Sequence, residues 1–298
     1  AGEVLGIVGE SGSGKSLTLR AILRLLPRVV QASGNILWRG RDLTQLGEPA
    51  LRALRGAEIA IVFQEPMTAL DPVLSIGRQI TESLAEHLGL RGRSARSRAV
   101  ELLDIVGIPD ARRRLSSYPH EFSGGMRQRA MLAIALAGGP KLLLADEPTT
   151  ALDVTIQDQI LKLLLRLRRE LSMSIVLVTH DLGIVAETCD RVAVLYSGRM
   201  METGPVETVL ARPAHPYTLG LINSVPQARQ ARQHLAAIPG APPDPFALPP
   251  GCRFAPRCML ASQDCLRGLP ELRALATDRA TACLHHDAVM RYELNFAS

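Results

Sequence analysis

Five short runs in this 298-residue sequence carry side chains suited to handling a polyphosphate. The first is GESGSGKS at residues 9–16. Its glycines let successive backbone N–H groups turn toward an anion, and a helix opening at Ser16 offers its positive end to the same place. Gly9, Glu10, Ser11, Gly12, Ser13 and Gly14 form the cradle, and the nucleotide-binding run extends through Leu17. Lys15 is expected to reach the β- and γ-phosphates, and the Ser16 hydroxyl to bind Mg²⁺. A glycine-rich turn without ligand is the bland alternative, but an apolar strand, the full motif and a helix follow one another in register.

The second run, LLLADEP at 142–148, is an apolar strand ending in two carboxylates. Open sheets bind ligands at such strand ends. Asp146 suits a residue that holds hydrated Mg²⁺, and Glu147 suits the group that polarises an attacking water. Taken alone, the pair would merely cap a turn. Gln64 ends IAIVFQ and His180 ends IVLVTH. Each is either a hydrogen-bonded strand-end residue or a site residue, with Gln64 on the metal and water and His180 on the γ-phosphate. The fifth run, FSGGMRQR, supplies Ser123, Gly124 and Gly125 as a second donor loop at a helix start. One γ-phosphate hardly needs two such loops in one chain, so the second is expected to serve a partner's nucleotide at a dimer interface.

The elements that must position these residues alternate strand and helix. EVLGIV is a strand lying so near residue 1 that a further segment is expected upstream. The periodicity predicts a helix over 16–26, strands in GNILWRGRDL and EIAIVFQEP, and a mostly helical insertion with two helices in 75–107 and another over 125–138. KLLLADEP reads as a buried parallel strand, followed by a helix over 154–171, the strand SIVLVTHD, a short helix and the hairpin RVAVLYSGRMMETG. HPYTLGLINSVP predicts one more short helix, and the proline-rich stretch 238–251 a rigid connection to a polar tail with little independent core.

Composition excludes some roles. Hydrophobic content of 47% is globular, and no apolar run is long enough for a membrane span. The net charge of +5 comes with 31 arginines against 3 lysines spread along the chain, and aromatics are only 3%. That pattern fits coding bias better than a nucleic-acid surface, which wants aromatic stacking platforms. Four of the five cysteines, Cys252, Cys258, Cys265 and Cys283, lie in the tail, whereas Cys189 reads as a helix-end packing residue. The spacing lacks the paired C-x2-C knuckles of most zinc sites and the compact ferredoxin run, so Zn²⁺, an iron–sulfur cluster and reduced packing thiols all stay open. His285 and His286 are alternative ligands, although four thiolates already complete a tetrahedral set.

Together, residues 9–16, Gln64, the loop from Ser123, Asp146, Glu147, Asp153 in TALD and His180 resemble the nucleotide-binding subunit of an ABC transporter. FQEPMTALDPVLSIGRQI, FSGGMRQR, HPYTLGLINSVP and the tail PGCRFAPRCMLASQDC with ACLHH narrow the resemblance to the peptide and nickel importers. Met126 stands where many ABC proteins have glutamine, as is usual in that group. The resemblance implies an α/β P-loop NTPase core of the ABC type over 1–204, with a helical subdomain at about 68–138. It also implies an extension over 205–298 carrying a four-cysteine module at about 252–286. ATP and Mg²⁺ are the implied ligands. Two ATPase domains, whether paralogous subunits or halves of one chain, would close head to tail around two ATP molecules, with Asp153 at the contact. The implied partners are two membrane-spanning permease subunits, met by residues 65–80, and an extracytoplasmic solute-binding protein. The implied place is the cytoplasmic face of the bacterial inner membrane.

Relatives with this tail include carriers of a [4Fe–4S] cluster on four matching cysteines, which shifts the metal expectation toward that cluster. The family's adenine-stacking aromatic belongs upstream of the phosphate loop, before residue 1. Cargo is set mainly by the binding protein and channel, so peptide and nickel are not separable from this chain. The competing class is a soluble ABC protein acting on ribosomes or nucleic acid. Such proteins usually fuse two ATPase domains, and this chain carries one set of motifs and no basic-aromatic arm.

Overall fold

The computed structural model describes residues 1–150, 152–224 and 238–291. The chain forms two compact units: one holds residues 1–3 and 16–178, the other residues 4–15 and 179 onward.

The first unit is built on three parallel strands, Ile59–Val62, Leu142–Asp146 and Ser174–Val178, with the second in the middle. Their apolar runs are buried at Ile59, Val62, Leu143, Leu144, Ala145, Ile175 and Leu177, as expected for strands covered on both faces. Parallel strands end at a common edge, so Gln64 and the Asp146–Glu147 pair leave the sheet on the same side. The helix Val154–Glu170 buries Ile160, Leu163, Leu164 and Leu167. The helices Ile76–Leu88, Gly92–Ile105 and Gly124–Leu136 pack on one another, and no strand occurs among the described residues between 63 and 141. Ile76–Leu88 starts on a Ser75 side-chain cap and stops at Gly89 in the left-handed region, φ 66°.

Two local expectations differ from the structure. The helix predicted over 16–26 spans Lys15–Ile22. Arg24 takes a left-handed conformation, φ 51°, and the bonds Arg24 N to Ala21 O and Leu25 N to Arg20 O close a Schellman turn. A non-glycine stop of this kind leaves no mark in the apolar period. GNILWRGRDL yields only a two-residue ribbon, Leu37–Trp38 against Arg41–Asp42. Arg39 and Gly40 both have positive φ, which makes the tight hairpin turn, and Asp42 ends the ribbon by accepting from the N–H groups of Ile36 and Thr44.

In the second unit Val4–Val8 runs parallel to Arg191–Tyr196, which returns antiparallel as Arg199–Pro205 through Ser197 and Gly198. The tail continues this sheet: Arg279–Thr281 pairs with Arg199–Pro205, and Arg273–Ala276 pairs with Arg279–Thr281. Cys252, Phe254, Ala255 and Cys265 are buried in one cluster with Val8, Val192, Tyr196, Met201 and Tyr217. A tail poor in apolar residues therefore shares a core that the earlier strands supply. Glu202, fully buried, is stabilised by the backbone N–H groups of Ala214 and His215 and by Arg279 Nη2 at 2.9 Å.

His215 lies in the same interior, its Nδ1 accepting from Tyr217 N at 3.0 Å. Burial holds its imidazole at about 3 instead of 6.5. Between those values the unfolded chain takes up a proton that the folded chain refuses, so the stability His215 provides above pH 6.5 is lost as pH falls. The slope from this group is about 1.4 kcal/mol per pH unit. His215→Asn keeps an acceptor for Tyr217 N without the titration. Urea unfolding between pH 6 and 4 should show the variant losing stability less steeply than the wild type by about that slope.

Candidate nucleotide site

The phosphate loop belongs to the second unit up to Lys15. Gly9 has φ 153°, and a Cβ there would stand 2.0 Å from the Leu195 carbonyl oxygen, so no other residue fits. The Lys15 side chain is folded into its own loop, Nζ donating to Gly9 O at 2.8 Å and Glu10 O at 3.0 Å. Further bonds brace the loop from outside: Gly198 N donates to Ser13 O at 2.9 Å, and Glu10 N to Tyr217 Oη at 2.8 Å. The Ser13 hydroxyl is buried and has no hydrogen-bond partner among the described residues. An orphaned buried hydroxyl in a glycine-rich loop is what a site completed by a phosphate oxygen would contain.

In the first unit, Ser16 Oγ donates to Asp146 Oδ1 at 2.7 Å, and Asp146 is 1% exposed. A hydroxyl and a buried carboxylate in contact form a fit place for Mg²⁺, since both offer hard oxygen ligands. Glu147 Oε2 accepts from Gln64 Nε2 at 3.2 Å and from Thr150 Oγ1 at 2.7 Å. Glu147 also holds φ 45°, unusual for a side chain with a Cβ, while its N–H donates to Val178 O at 3.0 Å. Four of the candidate site residues thus meet in two pairs, Ser16 with Asp146 and Gln64 with Glu147. Thr150 is an addition that spacing did not reveal, although its place three residues after Glu147 was available as a signal.

Ser123 caps the helix Gly124–Leu136, its Oγ accepting from Met126 N at 3.3 Å, and Asp153 caps Val154–Glu170 by accepting from Ile156 N at 2.9 Å. A Cβ on Gly125 would stand 2.7 Å from the Ile156 side chain, so the close approach of these two helix starts needs glycine there. Ser123 and Gly124 are exposed. His180 is exposed in the second unit, and the neighbouring Asp181 caps the helix Leu182–Thr188.

The four tail cysteines line one small cavity of about 10 Å³, together with His215, Phe254 and His285. Burial, reinforced by the other three cysteines, pushes the Cys283 thiol up to about 12. Burial also raises Cys252 and Cys258. Among the described residues no group of three or more His, Cys, Asp or Glu side chains is arranged to hold a metal ion. The cysteines are gathered around a common space without closing on a single ion. His285 Nε2 pairs with Ser262 Oγ at 2.9 Å and His286 Nδ1 with Cys283 O at 3.2 Å, so both rings have other partners. Cys189 lies apart, packed against Gly6 with its thiol raised to about 11 by burial, as a packing cysteine should be.

Residues 1–150 match the ABC transporter family profile, and residues 201–265 match the oligopeptide/dipeptide transporter C-terminal region. A Brucella abortus (strain 2308) protein named as a peptide import ATP-binding protein is 54% identical over 282 residues, covering 94% of this chain and 85% of that one. A Sinorhizobium fredii protein named as a peptide ABC transporter ATP-binding protein is 50% identical over 293 residues, covering 97% and 88%. Among solved structures, cbiO1 from Clostridium perfringens, part of the ABC transporter complex cbiONQ, is 32% identical with a TM-score of 0.61 over 70% of this chain and 80% of that one. The ATP-binding cassette MJ0796, solved as a dimer with ADP and Pi, is 31% identical with a TM-score of 0.61 over 69% and 86%.

Proposed function

This chain belongs to the ABC transporter family of ATP-binding proteins, and from that premise we propose that it hydrolyses ATP to drive import of di- and oligopeptides through a membrane partner. The observation that carries the peptide reading is the match of residues 201–265 to the C-terminal region of peptide transporters, downstream of an intact set of hydrolytic residues. Lys15 and the N–H groups of residues 9–17 bind the triphosphate. Ser16 and Asp146, with Gln64, hold Mg²⁺. Glu147, kept in place by Gln64 and Thr150, takes the proton of the attacking water. His180 binds the γ-phosphate, and Lys15 steadies charge on the transferring oxygens.

A second ATPase domain, paralogous or in the same polypeptide, completes the site by presenting Ser123, Gly124 and Gly125, with Asp153 beside the contact. Residues 65–80 meet the two permease subunits. In support, Met67 and Val73 are 63% and 77% exposed there, and Ser75, Gly77 and Arg78 of the same run line a groove of about 620 Å³ between Ile76–Leu88 and Gly92–Ile105. No helix among the described residues is long and apolar enough to cross a membrane, which suits a peripheral subunit on the cytoplasmic face of the inner membrane. An extracytoplasmic binding protein delivers the cargo. Co-purification with two multi-span subunits, and ATPase activity stimulated by peptide in the reconstituted complex, would bear this out. Stimulation by nickel and not by peptide would overturn the cargo.

The C-terminal extension, on the same reading, uses Cys252, Cys258, Cys265 and Cys283 to hold a [4Fe–4S] cluster. The donor set supports this reading: four soft sulfur ligands line one cavity. Bound there, the cluster would crosslink the tail and neutralise thiolates that burial disfavours. Anaerobic purification should yield about four iron and four acid-labile sulfide per chain. Zinc without sulfide would refute the cluster.

A further inference from the structure

The segment between Cys252 and Cys258 does more than carry ligands to the cavity. Its short turn of helix, Ala255–Arg257, sends a side chain into the phosphate loop. Arg257 is 5% exposed and grips the Glu10 carboxylate with both ends of its fork, Nη1 to Oε2 at 2.6 Å and Nη2 to Oε1 at 3.0 Å. Its other N–H groups donate to Tyr196 Oη at 3.2 Å, Ile238 O at 3.1 Å and Pro239 O at 2.9 Å. Five bonds match the five N–H groups a guanidinium has. The guanidinium also lies over the rings of Tyr196 and Phe254, at 5.7 and 6.0 Å.

Glu10 is the second residue of the loop. Its N–H is held by Tyr217 Oη, and its carbonyl accepts from Lys15 Nζ. A continuous path of bonds therefore runs from the cysteine segment through Arg257 and Glu10 to the lysine of the phosphate loop.

We propose that Arg257 is a positioning residue for ATP: through Glu10 it holds the phosphate loop and Lys15 in the shape that receives the triphosphate, so that the cysteine module sets the affinity of the loop for nucleotide. This rests on the reading of residues 9–16 as the ATP site. The side chains of Arg257 and Glu10 are turned to each other, and neither has a place on a reacting atom. Their loss loosens a preformed cradle, which weakens ground-state and transition-state binding alike and leaves turnover at saturation nearly intact.

The test uses the assembled transporter and MgATP. Arg257→Ala and Glu10→Gln should each raise the KM for ATP by about ten-fold with kcat within about two-fold, and the double variant should be no worse than either single one. Arg257→Lys, which keeps a charge but not the fork, should fall between wild type and Arg257→Ala. Glu10→Gln is close to isosteric and tests the pair even if Arg257→Ala folds poorly. Unchanged KM in both single variants, or effects that multiply in the double variant, would overturn the proposal. Lys15→Ala serves as the control: retained ATP turnover in that variant would instead overturn the assignment of the loop itself.

Discussion

Glu147→Gln is expected to lower ATP turnover by about 100-fold or more while leaving ATP binding within a few-fold of wild type. The carboxylate does not wander: Gln64 and Thr150 both donate to its Oε2, and its backbone is fixed in a left-handed conformation by the bond to Val178 O. An amide of the same shape can turn its oxygen to those two donors, so the local fold survives. What it cannot do is accept a proton from water. The chemical step fails while the loop, Lys15 and the Ser16–Asp146 pair still bind MgATP, so the dimer should accumulate closed around unhydrolysed nucleotide. Steady-state ATPase assays, equilibrium MgATP binding and light scattering with and without ATP check the three parts. Undiminished turnover in the assembled variant would remove Glu147 from its role.

The residues behind that prediction are legible in sequence because each signal is local. GESGSGKS needs only its own spacing. LLLADEP announces a buried strand and the two carboxylates at its end within seven letters; that Ser16 bonds to Asp146 and Gln64 to Glu147 is read only from the structure. Nonlocal pairings leave no such trace. Arg257 and Glu10 are 247 positions apart, and neither period nor spacing marks them as partners. The strand Arg279–Thr281 has three residues and becomes a strand by pairing with Arg199–Pro205 on one side and Arg273–Ala276 on the other. The helix end at Arg24 is similar in kind, since an arginine in a glycine's conformation is fixed by backbone bonds that side-chain patterning does not record. The cysteines lie between these extremes: their clustering is plain, but that they share one cavity is a property of the folded second unit.

Lys15→Ala is the second variant with a large expected effect, and it acts at the opposite end of the cycle. Lys15 is 5% exposed, so its ammonium has already left bulk water, and its Nζ rests on the carbonyls of Gly9 and Glu10. Phosphate oxygens that reach this ammonium form charge-assisted bonds, which are about twice as strong as neutral ones. Truncation removes that gain and also leaves two loop carbonyls without the donor that draws them together. ATP affinity should fall by about 100-fold, or about 2.7 kcal/mol, whether or not Mg²⁺ is present. Asp146→Asn should instead weaken binding only in the presence of Mg²⁺, because the carboxylate accepts from the Ser16 hydroxyl and its proposed ligand is the metal. Equilibrium binding of ATP with Mg²⁺ and with a chelator separates the two. Equal losses for both variants in chelator would contradict the division of labour between lysine and aspartate, and a Lys15→Ala variant that binds ATP normally would remove the phosphate loop from the site.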